Sequence, residues 1–329
     1  MRKFKWAVAG TGYITNRFVQ GMRAVKDAEL TAVVSRSPES GKSFAERYGN
    51  PEVFTDYVEM LEKADIDVVY LGVPNDMHYS YIMTALDHGI PVLSEKPLVD
   101  TVKQTKEVFR KAEEKGLFLM EGMWTRCFPA VRKVRQWIAD GRIGEPLSVN
   151  VSFDIKPDME DWQPWKAGLA HSGGSLRDVG IYSVAVANMV FPDSPKAVYS
   201  IHHSNGEVDE SCRLFMDYGD GRSAYAAGAF NQLGDTTARI TGTDGRISFG
   251  PEFWDPCYAL LEFNNGISEE FKAPFVETGF QYEIMSVQEA LLSGALECPD
   301  FTHKESLIIA EIIEQARKGW GIHYSADSE

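Results

Sequence analysis

Lys96 is the residue whose type and setting suit chemistry, and Asp178 and Tyr182 are of types that can transfer a proton. Lys96 stands in Ser94-Glu95-Lys96-Pro97, directly after the short apolar run Ile90-Pro91-Val92-Leu93. A lysine fixed by a following proline at the exit of a predicted strand lies where an open parallel α/β sheet presents chemistry, outside the carboxyl ends of its strands. Asp178 and Tyr182 belong to Gly173-Gly174-Ser175-Leu176-Arg177-Asp178-Val179-Gly180-Ile181-Tyr182 and are four residues apart, so on one helix they share a face. If the helix starts only after Gly180, Asp178 caps it instead. A phenol titrates near pH ~10, too high for an efficient base at neutrality, but an adjacent ammonium favours the phenolate. The ammonium of Lys96 also brings three hydrogen-bond donors with which to orient a substrate oxygen. The chemistry that needs such a set is removal of a hydroxyl proton while hydride leaves the same carbon. The structural alternatives are a core aromatic for Tyr182 and a helix cap for Asp178.

Hydride chemistry needs an acceptor, and the start of the chain provides a place for one. Trp6-Ala7-Val8-Ala9 reads as a buried strand that runs into Gly10-Thr11-Gly12-Tyr13-Ile14-Thr15 and then an amphipathic helix with Ile14, Phe18, Met22 and Val25 at helical spacing. Gly10 permits the tight turn, and Gly12 lets a pyrophosphate approach the helix N-terminus. Thr15 stands where the usual third glycine would be. At the end of the second predicted strand an NAD site normally places a carboxylate on the ribose, whereas this chain has Ser35-Arg36-Ser37. Arg36 can pair with a 2′-phosphate while Ser35 and Ser37 donate hydrogen bonds, so NADP is the expected cofactor, with NAD the alternative. The competing reading of Arg36 is a solvated surface cation.

The elements that must position these residues follow from periodicity. Predicted strands at 4–9, 30–35, 53–54, 68–73, 92–94 and 117–120 alternate with helical patterns, the signature of a doubly wound parallel sheet. Thr101 and Gln104 have capping-box spacing at the start of one of those helices. Near Trp124 the texture changes. A helix over 130–139 is followed by strand-like runs at 147–155, 197–203, 212–218 and 223–230, and helices at 282–293 and 305–318 close the chain. The fold class is therefore α/β: an N-terminal Rossmann domain over 1–122, and an α+β domain over 123–329 with a large, mainly antiparallel open sheet, expected to serve substrate binding and dimerisation. An open sheet with an apolar face needs cover, so a homodimer or a dimer of dimers is expected.

At 329 residues, with 44% hydrophobic and 25% charged residues, the chain has the composition of an ordinary two-domain globular protein. Its 33 Lys+Arg against 48 Asp+Glu give a net charge of −15, which repels nucleic acid and anionic membrane surfaces. No apolar stretch is long enough for a signal peptide or a bilayer span, so a cytoplasmic location is expected. Cys127, Cys212, Cys257 and Cys298 are scattered without zinc or disulfide spacing, and His202-His203 has no acid or cysteine at ligand spacing, so no metal site is expected. Trp124, Arg126 and Phe128 alternate aromatic and polar character at the domain junction, suiting a pocket wall over a ring or a packing cluster. Trp162 and Trp165 lie in a proline-containing loop that either closes over substrate or is simply anchored.

With Gly10-Thr11-Gly12-Tyr13-Ile14, Pro74-Asn75-Asp76-Met77-His78, Glu95-Lys96-Pro97 and the glycine-rich segment ending at Tyr182, the chain resembles the glucose–fructose oxidoreductase/inositol dehydrogenase/rhizopine catabolism family over essentially its whole length. Many members carry histidine where this chain has Tyr182 and aspartate where it has Ala185. Tyrosine at that place, and the segment 121–130, are similar to the branch with dimeric dihydrodiol dehydrogenase, NADP-dependent xylose dehydrogenase and glucose–fructose oxidoreductase. The resemblance implies a catalytic Lys96 and Tyr182 with Asp178, and cofactor contacts from the glycine turn, Pro74, Asn75, His78 and Glu95. It also implies hydride transfer between NADP and a hydroxyl or carbonyl carbon of a sugar, polyol or trans-dihydrodiol. The alternatives are a reductase of a non-sugar carbonyl or conjugated substrate, and an NADP-binding sensor that gates a partner without turnover.

Overall fold

The computed structural model describes residues 3–157 and 168–328, which fall into two compact units. The first comprises Met1–Val99, Lys103–Trp124 and Phe275–His303; the second comprises Asp100–Val102, Thr125–Pro274 and Lys304–Glu329.

In the first unit β1 (Phe4–Ala9), α1 (Tyr13–Met22), β2 (Ala28–Val34), α2 (Pro38–Arg47), β3 (Glu52–Phe54), α3 (Tyr57–Lys63), β4 (Val68–Leu71), α4 (His78–Asp87), β5 (Val92–Glu95), α5 (Val102–Lys115, all but its first residue in this unit) and β6 (Leu119–Gly122) alternate along the chain. The strands form one parallel sheet in the order β3-β2-β1-β4-β5-β6. Every residue of β4 and β5 is buried, as expected of strands covered by helices on both faces. Ala7, Ala9, Val69, Leu71 and Val92 pack there with Ile82, Leu86 and Val108 from the helices. The order reverses between β1 and β4, so the loops after these two strands flank the crevice in which such sheets bind ligands.

The second unit holds α6 (Pro129–Ala139), β7 (Pro146–Asp154), α7 (Ile181–Val190), β8 (Ala197–Ser204), β9 (Asp209–Gly219), β10 (Arg222–Ala229), β11 (Ala238–Gly242), β12 (Gly245–Phe249), β13 (Tyr258–Phe263) and β14 (Ser268–Lys272). Its eight-stranded sheet runs β14-β13-β12-β11-β7-β10-β9-β8, antiparallel at every step except the parallel β7–β10 pair. The apolar helix α7 lies on β7 and β10, and Ser183 donates its hydroxyl to the Ala227 carbonyl at 2.7 Å. Strands β8 and β9 leave Tyr199, Ile201 and Phe215 exposed.

Two helices follow: α8 (Phe280–Ser293) in the first unit and α9 (His303–Gly319), nearly all in the second. The chain thus returns to the nucleotide-type unit after β14, where the sequence pattern places everything beyond 123 in one domain. Packing explains the return. Phe280 meets Phe18 edge-on, Phe18 stacks on Tyr70 at 3.7 Å, and a Cβ at Gly21 would lie only 3.0 Å from the Gln281 backbone nitrogen, so α1 and α8 approach closely.

Candidate active site

The glycine turn joins β1 to α1. Gly10 has φ +95°, and a side chain there would press to 2.6 Å from the Gly72 carbonyl, so both its backbone shape and the contact between the turns after β1 and β4 require glycine. Thr15, in place of a third glycine, is fully buried with its hydroxyl against this pair. Gly12 is the N-cap of α1, and the space over its Cα is empty to 4 Å. Beside it, exposed Tyr13 and half-buried Ile14 begin the helix, and Asn16 donates its amide to the carbonyls of Thr11 (3.0 Å) and Gly12 (2.7 Å). Sequence reasoning missed Asn16. Its signal, an amide one turn into the helix and aimed back at the loop, has no local periodicity.

At the end of β2, Ser35 is buried with its hydroxyl 3.5 Å from that of Thr11, and Arg36 is exposed. Burial raises the pKa of nearby Tyr81, and the positive charge of Arg36 opposes that shift. Ser37 caps α2 by accepting from the Ser40 amide at 3.2 Å and donates to the Glu39 carboxylate at 2.9 Å, so its hydroxyl serves the helix. An open helix N-terminus over Gly12, and an arginine in place of an acid after β2, fit a dinucleotide with a 2′-phosphate.

The turns after β4 and β5 are tied together. Pro74 precedes a single 3-10 turn over Asn75–Met77, and His78 opens α4 fully buried. Its Nδ1 lies 2.9 Å from the Pro97 carbonyl and its Nε2 3.0 Å from that of Val73. On the β5 side, Glu95 is buried and accepts from the Tyr70 hydroxyl at 2.7 Å, while Glu121 accepts from the Leu98 amide at 3.0 Å. The Lys96–Pro97 peptide bond is cis. From 92 to 101 every residue is buried except Lys96. Behind this turn lies a carboxyl that the sequence did not single out. Glu283 of α8 is fully buried, neither carboxyl oxygen has a hydrogen-bond partner among the described residues, and burial together with the nearby charge of Glu95 raises its pKa well above the usual carboxylate range.

In the second unit the glycine-rich segment leads into one turn of π-helix, Leu176–Gly180, which continues as α7. Single π-turns of this kind recur at functional sites. From 172 to 188 every residue is buried except Asp178. Tyr182 is 8% exposed, with its ring 5.6 Å from that of Phe153. Asp209 holds the segment from β9 by accepting from the Ser175 hydroxyl at 2.5 Å and the Leu176 amide at 2.7 Å; burial raises its pKa.

The remaining candidates have mixed placements. Trp124 is buried in the first unit, stacked on Phe280 at 4.6 Å with the Arg17 guanidinium 5.6 Å from its ring centre. Phe128 is buried in the second unit. Arg126 is also enclosed there, donating to the Ala185 carbonyl at 3.0 Å and pairing with Glu305 at 3.1 Å, and burial lowers its pKa to about 10. All three are buried within their own units. Trp162 and Trp165 lie outside the described residues. Among the described residues no cluster of His, Cys, Asp and Glu is arranged to hold a metal, and no helix is long and apolar enough to cross a membrane.

Comparison with known proteins decides the family. The GFO/IDH/MocA oxidoreductase family, with its NAD-binding Rossmann fold, matches residues 4–123, and the C-terminal domain of the same family matches residues 131–248. The chain belongs to this family. It is an NAD(P)-dependent oxidoreductase that acts on CH–OH carbon. Trans-1,2-dihydrobenzene-1,2-diol dehydrogenase from Bos taurus is 30% identical over 98% of both chains, and that from Xenopus tropicalis 29% over 97% of this chain and 99% of its own. A 3-ketoreductase from Actinomadura kijaniata, solved with NADP and TDP-benzene, superposes with a TM-score of 0.82 at 27% identity, covering 97% of this chain and 98% of its own.

Proposed function

We propose that this oxidoreductase uses NADP to interconvert a secondary or hemiacetal hydroxyl and its carbonyl on a sugar, polyol or trans-dihydrodiol. One observation carries the reading: in each of two long buried stretches a single ionisable side chain reaches solvent, Lys96 in 92–101 and Asp178 in 172–188. An ion left accessible in an otherwise closed stretch suits a group that must meet substrate. When bound, the dinucleotide supplies the hydride acceptor or donor at its nicotinamide. Lys96 orients the substrate oxygen and balances negative charge on it. Tyr182 relays the proton, with Asp178 one turn before it as the ionisable group that hands it on to solvent.

In this reading the first unit carries the cofactor on Gly10, Thr11, Gly12, Tyr13, Ile14, Ser35, Arg36, Pro74 and Asn75. His78 and Glu95 set the turns, and the second unit carries substrate contacts and self-association. Exposed Tyr199, Ile201 and Phe215 on β8 and β9 support a homodimer, which light scattering on the purified protein tests. A cytoplasmic location accords with the same reading. The dihydrodiol dehydrogenases favour a diol substrate, and the NADP-bound 3-ketoreductase favours the reverse reaction, reduction of a ketone. Absorbance at the reduced-nicotinamide band, recorded in both directions on a panel of aldoses, polyols, trans-dihydrodiols and their ketones with NADP(H), tests the proposal. Turnover on one of these classes is expected. Silence across the panel alongside tight NADPH binding would overturn it in favour of a sensor.

A further inference from the structure

The glycine-rich segment that carries Asp178 and Tyr182 is held by a buried clamp of charge and aromatic groups whose parts are far apart in sequence. Arg177, 2% exposed, donates through Nη2 to Asp100 Oδ1 at 2.8 Å and through Nη1 to the Asp100 carbonyl at 3.2 Å. Arg317 on α9, 1% exposed, donates to the same carbonyl at 3.3 Å and grips the Asp327 carboxylate with both terminal nitrogens, at 2.5 and 2.8 Å. The Tyr324 ring lies 4.9 Å from the Arg177 guanidinium and 4.5 Å from that of Arg317, inside cation–π range of both. Its hydroxyl donates to the Gly173 carbonyl at 2.8 Å, and the Ser172 hydroxyl donates to Asp100 Oδ2 at 2.9 Å. Asp327 closes the assembly by accepting from the Tyr324 backbone amide at 2.8 Å.

We propose that Arg177 and Tyr324 are positioning residues for the proton-transfer pair Asp178 and Tyr182. The inference rests on the assignment of that pair given above. Gly173, Gly174 and Gly180 make the segment intrinsically loose, and Gly174 has φ +122°. A loose chain cannot by itself fix a π-turn, whose extra residue rotates everything after it relative to an α-helix. The clamp removes that freedom at three points, Ser172, Gly173 and Arg177, within the six residues before Asp178. Arg177 and Asp178 are neighbours in different settings: the first is drawn inward onto Asp100, and the second is the one residue of 172–188 that is not buried. Guanidinium, not ammonium, suits the task, because one planar fork reaches both the carbonyl and the carboxylate of Asp100 while presenting a face to Tyr324.

The test compares Tyr324→Phe, Tyr182→Phe and the double variant in the full-length enzyme, on the best substrate found in the panel. Tyr324→Phe keeps the ring between the two guanidiniums and removes only the bond to Gly173. Single-turnover hydride transfer in it is expected to fall by at least ~10-fold, since sub-ångström misplacement of a reacting group has effects of that order. The NADPH dissociation constant should stay within about twofold, a split that general destabilisation does not produce. Added to Tyr182→Phe, the change should have almost no further effect, because its whole action runs through that residue. Wild-type hydride transfer in Tyr324→Phe, or a full multiplicative loss in the double variant, overturns the clamp alone. Wild-type transfer in Tyr182→Phe overturns the assignment of the pair, and this inference with it. Should Tyr324→Phe fail to fold, Ser172→Ala, which deletes one hydroxyl at the other end of the clamp, is read by the same measurements and the same outcomes.

Discussion

The imidazole of His78 lies 2.9 Å from the Pro97 carbonyl, across 19 positions of sequence, and with its other nitrogen 3.0 Å from the Val73 carbonyl it joins the turn after β4 to the turn that presents Lys96. Because the ring is fully buried, its loss leaves at least one buried carbonyl without its N–H donor. His78→Leu should therefore destabilise the fold by about 1–3 kcal/mol and, by loosening the lysine turn, lower kcat by roughly tenfold or more. Thermal denaturation and steady-state kinetics check the two halves. An unchanged melting temperature would show that the histidine ties nothing.

Cofactor choice turns on the end of β2. Arg36 is exposed and no carboxylate stands at the neighbouring positions Ser35 and Ser37. Arg36→Ala should weaken NADPH binding by about 1.5–3 kcal/mol, the contribution of hydrogen bonds to a charged group, and leave NADH nearly unchanged. Calorimetric titration with both cofactors distinguishes this from a surface cation, for which the two losses would be equal.

Glu283 gives the protein a pH signature. Its folded pKa is raised, first by burial and then by Glu95, so between the unfolded value of about 4.3 and that raised value the folded state holds a proton that the unfolded chain releases. Stability must then fall as pH increases across this window. Glu283→Gln keeps the shape of a neutral carboxyl and abolishes the titration. Its melting temperature should match wild type near pH 4 and exceed it at pH 8. Parallel profiles for the two proteins would rule out a buried neutral carboxyl.

Much of the first unit was legible because its signals are local. Gly10 and Gly12 announce the β1–α1 turn, the apolar run before Ser94 announces β5, and both lie where the periodicity places them. The Asp244-Gly245 turn between β11 and β12 carries a hairpin signal too, but strands β11 to β14 are short and were not predicted from the pattern. What no window of sequence contains is the partnership of distant residues. Asp100 meets Arg177 and Arg317, Gly21 yields to α8, and Glu283 comes up behind Glu95; each depends on tertiary packing across 70 residues or more. The same limit applies to Arg126, whose pairing with Glu305 and bond to the Ala185 carbonyl its alternation with Trp124 and Phe128 does not announce.

Lys96 carries the most direct prediction. Pro97, Glu95 and the bonds from His78 and Glu121 fix the backbone on either side of it, so removing the ammonium should leave the turn in place. Lys96→Met keeps most of the aliphatic stem and deletes the charge and three donors. Since Lys96 is the one residue of 92–101 that is not buried, the melting temperature should change little. Activity should not survive. An ammonium that steadies negative charge on the substrate oxygen acts mainly in the transition state, so kcat and kcat/KM should fall together by about 10²-fold or more, with NADPH affinity retained. Loss of affinity without loss of kcat would instead assign Lys96 to the cofactor, and wild-type values for both would move the proton chemistry to other residues, with Asp178 and Tyr182 the first to be tested.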